Sequence, residues 1–233
     1  MARIATLTLN PAIDGACDAE KVRPTHKVRT GRERFDAGGG GINVARVVKR
    51  LGGDALAVYL AGGATGAVLD SILDRMGLAR RTIPIADDTR ISLAVHERET
   101  GLEYRFVPEG PDITAAEQQA CLDAVKEVDC DYFVASGSLP PSLATDFYVR
   151  IQDVVTERGI PFILDTSGEP LRTSMERGGL FLVKPSINEL EQLVGKPLRS
   201  REALDEAAAA IVEKGQVKNL AVTLGHEGAL LAT

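Results

Sequence analysis

The sequence predicts an α/β fold: a mainly parallel sheet with helices on both faces, and a small β-sheet lid standing off it. Three observations carry this expectation. Short β-branched and aliphatic runs alternate with amphipathic stretches along the 233 residues, as in strand and helix repeats that build a parallel sheet. Glycines at 52, 77, 159 and 215 follow helical periods and read as helix ends. Residues 89–107 instead alternate at period two, with Ile91, Leu93 and Val95 before Thr100-Gly101 and Leu102, Tyr104 and Phe106 after it, which is a hairpin pattern.

Taken in order, a first strand is expected over 3–9, Arg-Ile-Ala-Thr-Leu-Thr-Leu. Segment 14–36 is polar and rich in Lys and Arg, and is expected to pair with the 89–107 hairpin. Four glycines, Gly38 to Gly41, then tip into a helix over 43–51, where Val44, Val47, Val48 and Leu51 recur at i, i+3, i+4 and i+7 and predict a face anchored on the core. Strands follow at 55–60, 132–136, 161–166, 180–184 and 219–224, and helices at 66–76, 115–127, 143–158 and 202–214. Residues 1–13, 37–88 and 109–233 are therefore assigned to an α/β core, and 14–36 with 89–108 to the lid. An exposed sheet of this kind needs a partner, so the lid is expected to close over a site, to pair two subunits, or both.

Composition excludes several functions. At 44% hydrophobic and 26% charged residues the chain can bury a sizeable core. Its net charge of −6 gives no general attraction to nucleic acid or to an anionic membrane, so any anion must be held by a local cluster of cations. Cys17, Cys121 and Cys130 lack metal or redox spacing, and there is no signal peptide or long apolar span; no disulfide and a reducing cytoplasm are expected. His26, His96 and His226 are scattered, which argues against a transition-metal site.

The glycine run is the strongest pointer to a ligand. Bare peptides at a helix N-terminus let successive N–H groups face one polar guest at the positive end of the helix. The lid carries the cations: Lys27, Arg29, Arg90 and Arg105 sit in or beside it, and arginine matches a phosphate in bidentate geometry. Other motifs lie where strands end, the place where open α/β sheets bind ligands. They are Asn10-Pro-Ala-Ile-Asp14, whose carboxylate can accept hydrogen bonds from sugar hydroxyls, then Ser136-Gly-Ser-Leu-Pro-Pro141, Leu164-Asp-Thr-Ser167, Val183-Lys-Pro-Ser-Ile-Asn-Glu189 and Val222-Thr-Leu-Gly-His-Glu-Gly228. Ser186 and Glu189 taken alone also fit a capping box at the start of a helix. A dinucleotide site is disfavoured, because Gly38, Gly40 and Asn43 do not complete GxGxxG.

Over nearly its whole length the chain resembles the PfkB family of ribokinase-like sugar kinases. The resemblance rests on Thr8-Leu-Asn-Pro-Ala-Ile-Asp14, Gly38-Gly-Gly-Gly-Ile-Asn-Val-Ala-Arg46, Ala61-Gly-Gly-Ala-Thr-Gly66, Ser136-Gly-Ser-Leu-Pro-Pro141 and Val183-Lys-Pro185. It implies a ribokinase-like three-layer α/β/α fold. It also implies a phosphotransferase that uses ATP with Mg²⁺ on a phosphosugar and pairs as a homodimer through the lid. Family branches acting on fructose 1-phosphate or tagatose 6-phosphate usually carry Lys within the glycine run; Gly40 stands there in this chain and favours fructose 6-phosphate. By resemblance Asp14, Gly39, Gly40 and Asn43 would hold sugar hydroxyls with Ser138 nearby, and Lys27, Arg90 and Arg105 the sugar phosphate, with Arg29 contributing. Lys184, Ser186, Thr223, Gly225 and Gly228 would line the nucleotide, and Glu189 would organise Mg²⁺ through water.

Two departures from the family pattern stand out. Ser186 occupies a position where the family usually has Asn, which predicts altered nucleotide or magnesium affinity. The family's Gly-Ala-Gly-Asp motif, bearing the catalytic base, is expected a few tens of residues after Gly225, beyond Thr233; Gly15-Ala-Cys-Asp18 is a lookalike without the strand-to-helix setting. The chain therefore reads as an amino-terminal portion of a kinase, expected on its own to bind phosphosugar and to be poorly soluble or abnormally oligomeric. A non-catalytic phosphosugar-binding protein ending at Thr233 is the alternative of another class.

Overall fold

The computed structural model describes residues 2–233. The chain runs through β1 (Arg3–Thr8), β2 (Ala12–Ala19), β3 (Arg34–Gly38), α1 (Gly40–Arg50), β4 (Asp54–Gly62), α2 (Gly63–Arg75), β5 (Ala79–Ile85), β6 (Arg90–Glu97), β7 (Glu103–Phe106) and α3 (Ala115–Glu127). It continues through β8 (Tyr132–Ser136), α4 (Phe147–Thr156), β9 (Phe162–Asp165), α5 (Gly168–Arg177), β10 (Leu180–Val183), α6 (Ile187–Val194), α7 (Arg201–Glu213), β11 (Val217–Thr223) and β12 (Ala229–Ala232).

Eight strands form the central sheet in the order β12-β11-β10-β9-β8-β1-β4-β5, every pairing parallel except β11 with β12. Strand β4 explains why it is buried on both sides. Ala55, Ala57, Tyr59 and Ala61 pack with Ile42 and Ala45 of α1 and Leu69, Ile72 and Leu73 of α2, whereas Val58 and Leu60 face the larger cluster that includes Val125 of α3 and Ile151 of α4. Helices thus cover both faces, and the carboxyl ends of β1, β8, β9, β10 and β11 lie along one rim.

The second sheet has the order β3-β2-β6-β7. Gly15 aligns with Phe35 on one side and Leu93 on the other, and Leu93 with Phe106, so one row of side chains crosses all four strands. Phe35, Ile91 and Phe106 are exposed on that apolar face. The opposite face carries Asp14, Asp36 and Ser92 in register, then Ala16, Arg34, Ala94 and Arg105. Period-two alternation has thus given this small sheet one polar and one apolar side.

Several expectations change. The stripe Val44, Val47, Val48 and Leu51 does not anchor α1, since Val47 is 53% and Leu51 82% exposed; the buried residues are Gly41, Ile42 and Ala45. A Cβ on Gly41 would lie 2.5 Å from the Leu7 carbonyl oxygen, so close approach through small residues turns the helix toward its glycine face. Helix α4 begins at Phe147 rather than 143, because Leu143 and Phe147 donate to Pro140 O and Ala144 O in successive turns after the Pro140-Pro141 bend. Between β2 and β3 residues 20–33 form mainly a loop, and β2 itself starts at Ala12, two residues before the expected lid boundary. Unforeseen elements are β5, whose Pro84 suits an edge strand, the polar α5, and β12.

Candidate active site

At the end of β1 the backbone is packed against the start of α1 with no room for side chains. Gly39, the residue before the helix, has φ 121°, a conformation for glycine, and a Cβ there would also meet Thr8 Cγ2 at 2.5 Å. The helix has no side-chain cap of its own residue; instead Thr8 Oγ1 accepts from Ile42 N–H at 3.0 Å. Gly38 is forced by its neighbour, since a Cβ would fall 2.2 Å from Asp14 Oδ2. Gly40 abuts the β8 loop, where a Cβ would come 2.1 Å from Ser136 Oγ. The glycine run therefore touches the lid strand on one side and the central rim on the other.

Under the polar face of the lid lies a cavity of about 260 Å³ lined by Asp14, Asp36, Asn43, Arg46, Ser92 and Arg105 among others. Asp14 keeps access to solvent, yet surrounding protein raises its pKa by desolvation, while Arg90 and Arg105 pull it down and Asp36 pushes it up. Burial lowers the pKa of Arg90, opposed by Asp14. Arg90 Nη1 donates to Pro108 O at 2.8 Å and Nη2 to Asn10 O at 2.9 Å. Asn43 Oδ1 accepts from Arg46 Nη2 at 2.8 Å. Ser138 is joined to the end of β1 by Asn10, whose Nδ2 lies 3.3 Å from Ser138 Oγ. Sequence reasoning missed Asp36 and Arg46; the signal for Asp36 was its place in the strand that pairs antiparallel with Asp14.

On the other side of Gly40, the ends of three adjacent strands share one network. Ser136 Oγ donates to Asp165 Oδ2 at 2.9 Å, and Lys184 Nζ stands 3.1 Å from Asp165 Oδ1. Asp165 was visible only as part of a strand-end motif, and its role as the link between Ser136 and Lys184 comes from the β8-β9-β10 order. Ser186 caps α6 and Glu189 completes the capping box: Glu189 Oε2 accepts from Ser186 N–H at 2.7 Å and Oγ at 2.8 Å, and Ser186 Oγ accepts from Glu189 N–H at 3.3 Å. Thr223 comes alongside, bridged to Ser186 and donating its N–H to Pro185 O at 2.9 Å. Gly225 and Gly228 bound the tight turn after β11, at φ 62° and 101°.

Both bonds to the Glu189 carboxylate fall on Oε2, so the box leaves Oε1 to other partners. That fits Mg²⁺, which is commonly held by one or two carboxylates completed by water and substrate phosphates. Among the described residues no group of three or more His, Cys, Asp or Glu is placed to hold a metal.

Lys27 and Arg29 are not brought to the cavity. They lie exposed in loop 20–33, which is tied back to the far end of β2 by the Ala19–Thr30 bridge and by Gly31 N–H donating to Asp18 O at 2.8 Å. Five residue steps along the strand take Asp14 to Ala19, about 17 Å at ~3.3 Å per step. Gly15 to Asp18 sit inside β2 and open no helix. No described helix is long and apolar enough to cross a membrane, and Cys17, Cys121 and Cys130 are buried and unpaired.

A glycine-cradled helix start beneath a β lid, beside a Lys-Asp-Ser network at the rim of a parallel sheet, defines a ribokinase-like phosphotransferase architecture. Residues 7–233 match the family model of pfkB family carbohydrate kinases, and the chain belongs to that family. It is 46% identical over 233 residues to the ATP-dependent 6-phosphofructokinase isozyme 2 of Mycobacterium tuberculosis, covering 99% of this chain and 68% of that one. The crystal structure of phosphofructokinase-2 from Escherichia coli in complex with fructose-6-phosphate matches with a TM-score of 0.95 at 39% identity, covering 100% of this chain and 77% of that one. A 1-phosphofructokinase of Borreliella burgdorferi is 34% identical over 228 residues, covering 97% and 73%.

Proposed function

We propose that this protein is an ATP-dependent 6-phosphofructokinase, converting fructose 6-phosphate to fructose 1,6-bisphosphate. The observation that carries the reading is the cavity in which Asp14 faces Arg105, with Arg90 beside it, at the start of α1. A carboxylate accepts hydrogen bonds from sugar hydroxyls and guanidinium groups bind a phosphate, so the pair fits a phosphosugar better than a plain sugar. Gly39, Gly40, Asn43 and Ser138 complete the hydroxyl side. Lys184, Ser186, Thr223, Gly225 and Gly228 would face the nucleotide phosphates, and Glu189 would hold Mg²⁺ through water. Mg²⁺ supplies neutralisation of the phosphate oxygens; the protein's own share is positioning and exclusion of water by the lid.

The lid, taken as 14–36 and 89–108, pairs two protomers in this proposal. The support is its apolar face with Phe35, Ile91 and Phe106 exposed on it, which a second copy would cover. Pairing would also give Lys27, remote from its own cavity, a route to the neighbouring protomer's phosphate. A reducing cytoplasm suits three unpaired cysteines.

The test is ADP release by the intact protein with Mg-ATP and, in parallel, fructose 6-phosphate, fructose 1-phosphate and tagatose 6-phosphate. Preference for fructose 6-phosphate supports the proposal. The 34% identity to a 1-phosphofructokinase favours fructose 1-phosphate as second reading, and preference for that sugar would replace the first. Tight phosphosugar binding with no turnover would point to a binding protein.

A further inference from the structure

We infer that Asn10 is a positioning residue that ties the exit of the lid to the phosphate-binding arginine, and so sets affinity for the phosphosugar. This rests on the proposed function, in which Arg90 takes the sugar phosphate. Asn10 is 3% exposed and lies just past β1, before the chain enters the lid. Its side chain reaches two loops distant in sequence: Nδ2 donates to Glu109 O at 2.7 Å and lies 3.3 Å from Ser138 Oγ. Its own carbonyl accepts from Arg90 Nη2 at 2.9 Å, and Arg90 Nη1 donates to Pro108 O at 2.8 Å, next to Glu109. One guanidinium is thereby held by the two backbone segments that Asn10 fastens together, the end of β1 and the return from β7 toward α3.

The return segment is shaped around this amide. Gly110 has φ 123°, and a Cβ there would fall 2.3 Å from Asn10 Oδ1 and 2.8 Å from its Cγ. Asn10 Oδ1 and Arg90 Nε are both buried without a protein partner among the described residues. Buried polar groups are normally paired, so this pair of half-satisfied side chains marks the spot as one kept for function rather than for stability.

A double-mutant cycle tests the link, with fructose 6-phosphate affinity measured calorimetrically on the intact protein. Asn10→Ala alone is expected to weaken binding roughly tenfold, the scale of a lost hydrogen bond to a charged group's support, with the KM for ATP little changed. In an Arg90→Ala background, Asn10→Ala is expected to add almost nothing. Asn10→Asp, which keeps the shape but turns an acceptor toward Glu109 O, should behave as Asn10→Ala and serves if the alanine variant does not fold. Multiplying effects in the double variant, or wild-type affinity in both single Asn10 variants, would overturn the inference. If the unsubstituted protein binds no phosphosugar, the proposed function itself fails; if it binds and the variants behave in either of those ways, the inference alone fails.

Discussion

At the α1 end of the site, positions are set by backbone that admits no side chain: Gly38 against Asp14, Gly39 against Thr8, Gly40 against Ser136 and Gly41 against Leu7. At the β10 and β11 end they are set by side chains that bond one another, Lys184 to Asp165 and Ser186 to Glu189. The first region is preformed, because glycine contacts leave the helix start nowhere else to go. The second is adjustable, because Lys184 is partly exposed and an exposed ion pair holds its partners weakly. In the proposed function the first half would take one fixed sugar and the second a long, charged co-substrate, and these make different demands on rigidity.

Substituting the preformed half should therefore do the most damage. Gly39→Ala places an L-residue at φ 121° and its Cβ on Thr8, so we expect kcat/KM to fall by at least about 100-fold, the effect of an ångström-scale misplacement, with a lowered Tm. Wild-type kinetics in this variant would show that the helix start is not rigid. Next in size, Arg90→Ala and Lys184→Ala should separate the halves. The arginine variant is expected to raise KM for the phosphosugar by roughly 10- to 100-fold and leave KM for ATP nearly unchanged; the lysine variant should do the reverse, by about tenfold. Equal effects of both variants on both substrates would erase the division.

The same division explains what was legible in the sequence. Strands β1, β4 and β8 to β11 follow from their aliphatic runs, and the hairpin from period two across Thr100-Gly101, because those patterns are local. Helix α5 was hidden by its polar sequence, and β5 by Pro84, which only an edge position tolerates. Arg29 shares the outcome of Lys27, whereas glycine, Asp14, Arg90 and Arg105 announce themselves by residue type. Asp165, Asp36 and Asn10 do not, since their roles depend on which strands become neighbours. Lys27 shows the converse: its charge suggested the cavity, and the loop that carries it is fastened to the far end of β2.

Smaller effects sharpen the contrast. Ser186→Ala removes the Oγ half of the capping box and keeps the backbone N–H bond to Glu189 Oε2, which is expected to cost about 1 kcal/mol in chemical denaturation and to loosen Glu189. Ser186→Asn keeps a good cap with a longer side chain, so stability should hold while the Mg²⁺ concentration needed for half-maximal rate shifts. An unchanged magnesium requirement in both variants would leave Glu189 with a purely structural role.

The smallest expected change is a gain. Asp14 has its pKa raised in the folded protein, chiefly by desolvation, so its ionised form is less favourable there than in the unfolded chain. For such a group the folded state is relatively favoured at low pH and loses that advantage as pH rises through the folded pKa. Replacing the carboxylate by an amide should then stabilise the fold slightly at pH 7, and the gain should disappear as pH falls toward about 4, near the unfolded carboxylate value. Solvent access at the cavity mouth and the attraction of Arg90 and Arg105 keep the gain small, about a degree or two in Tm. The same Asp14→Asn variant should bind phosphosugar more weakly, since a carboxylate suited to sugar hydroxyls is gone. Paired thermal melts and binding titrations at pH 7 and pH 4.5 would check this. A variant less stable at pH 7 than the parent would mean that the arginines outweigh the desolvation, and that the preformed half stores no strain in its charge.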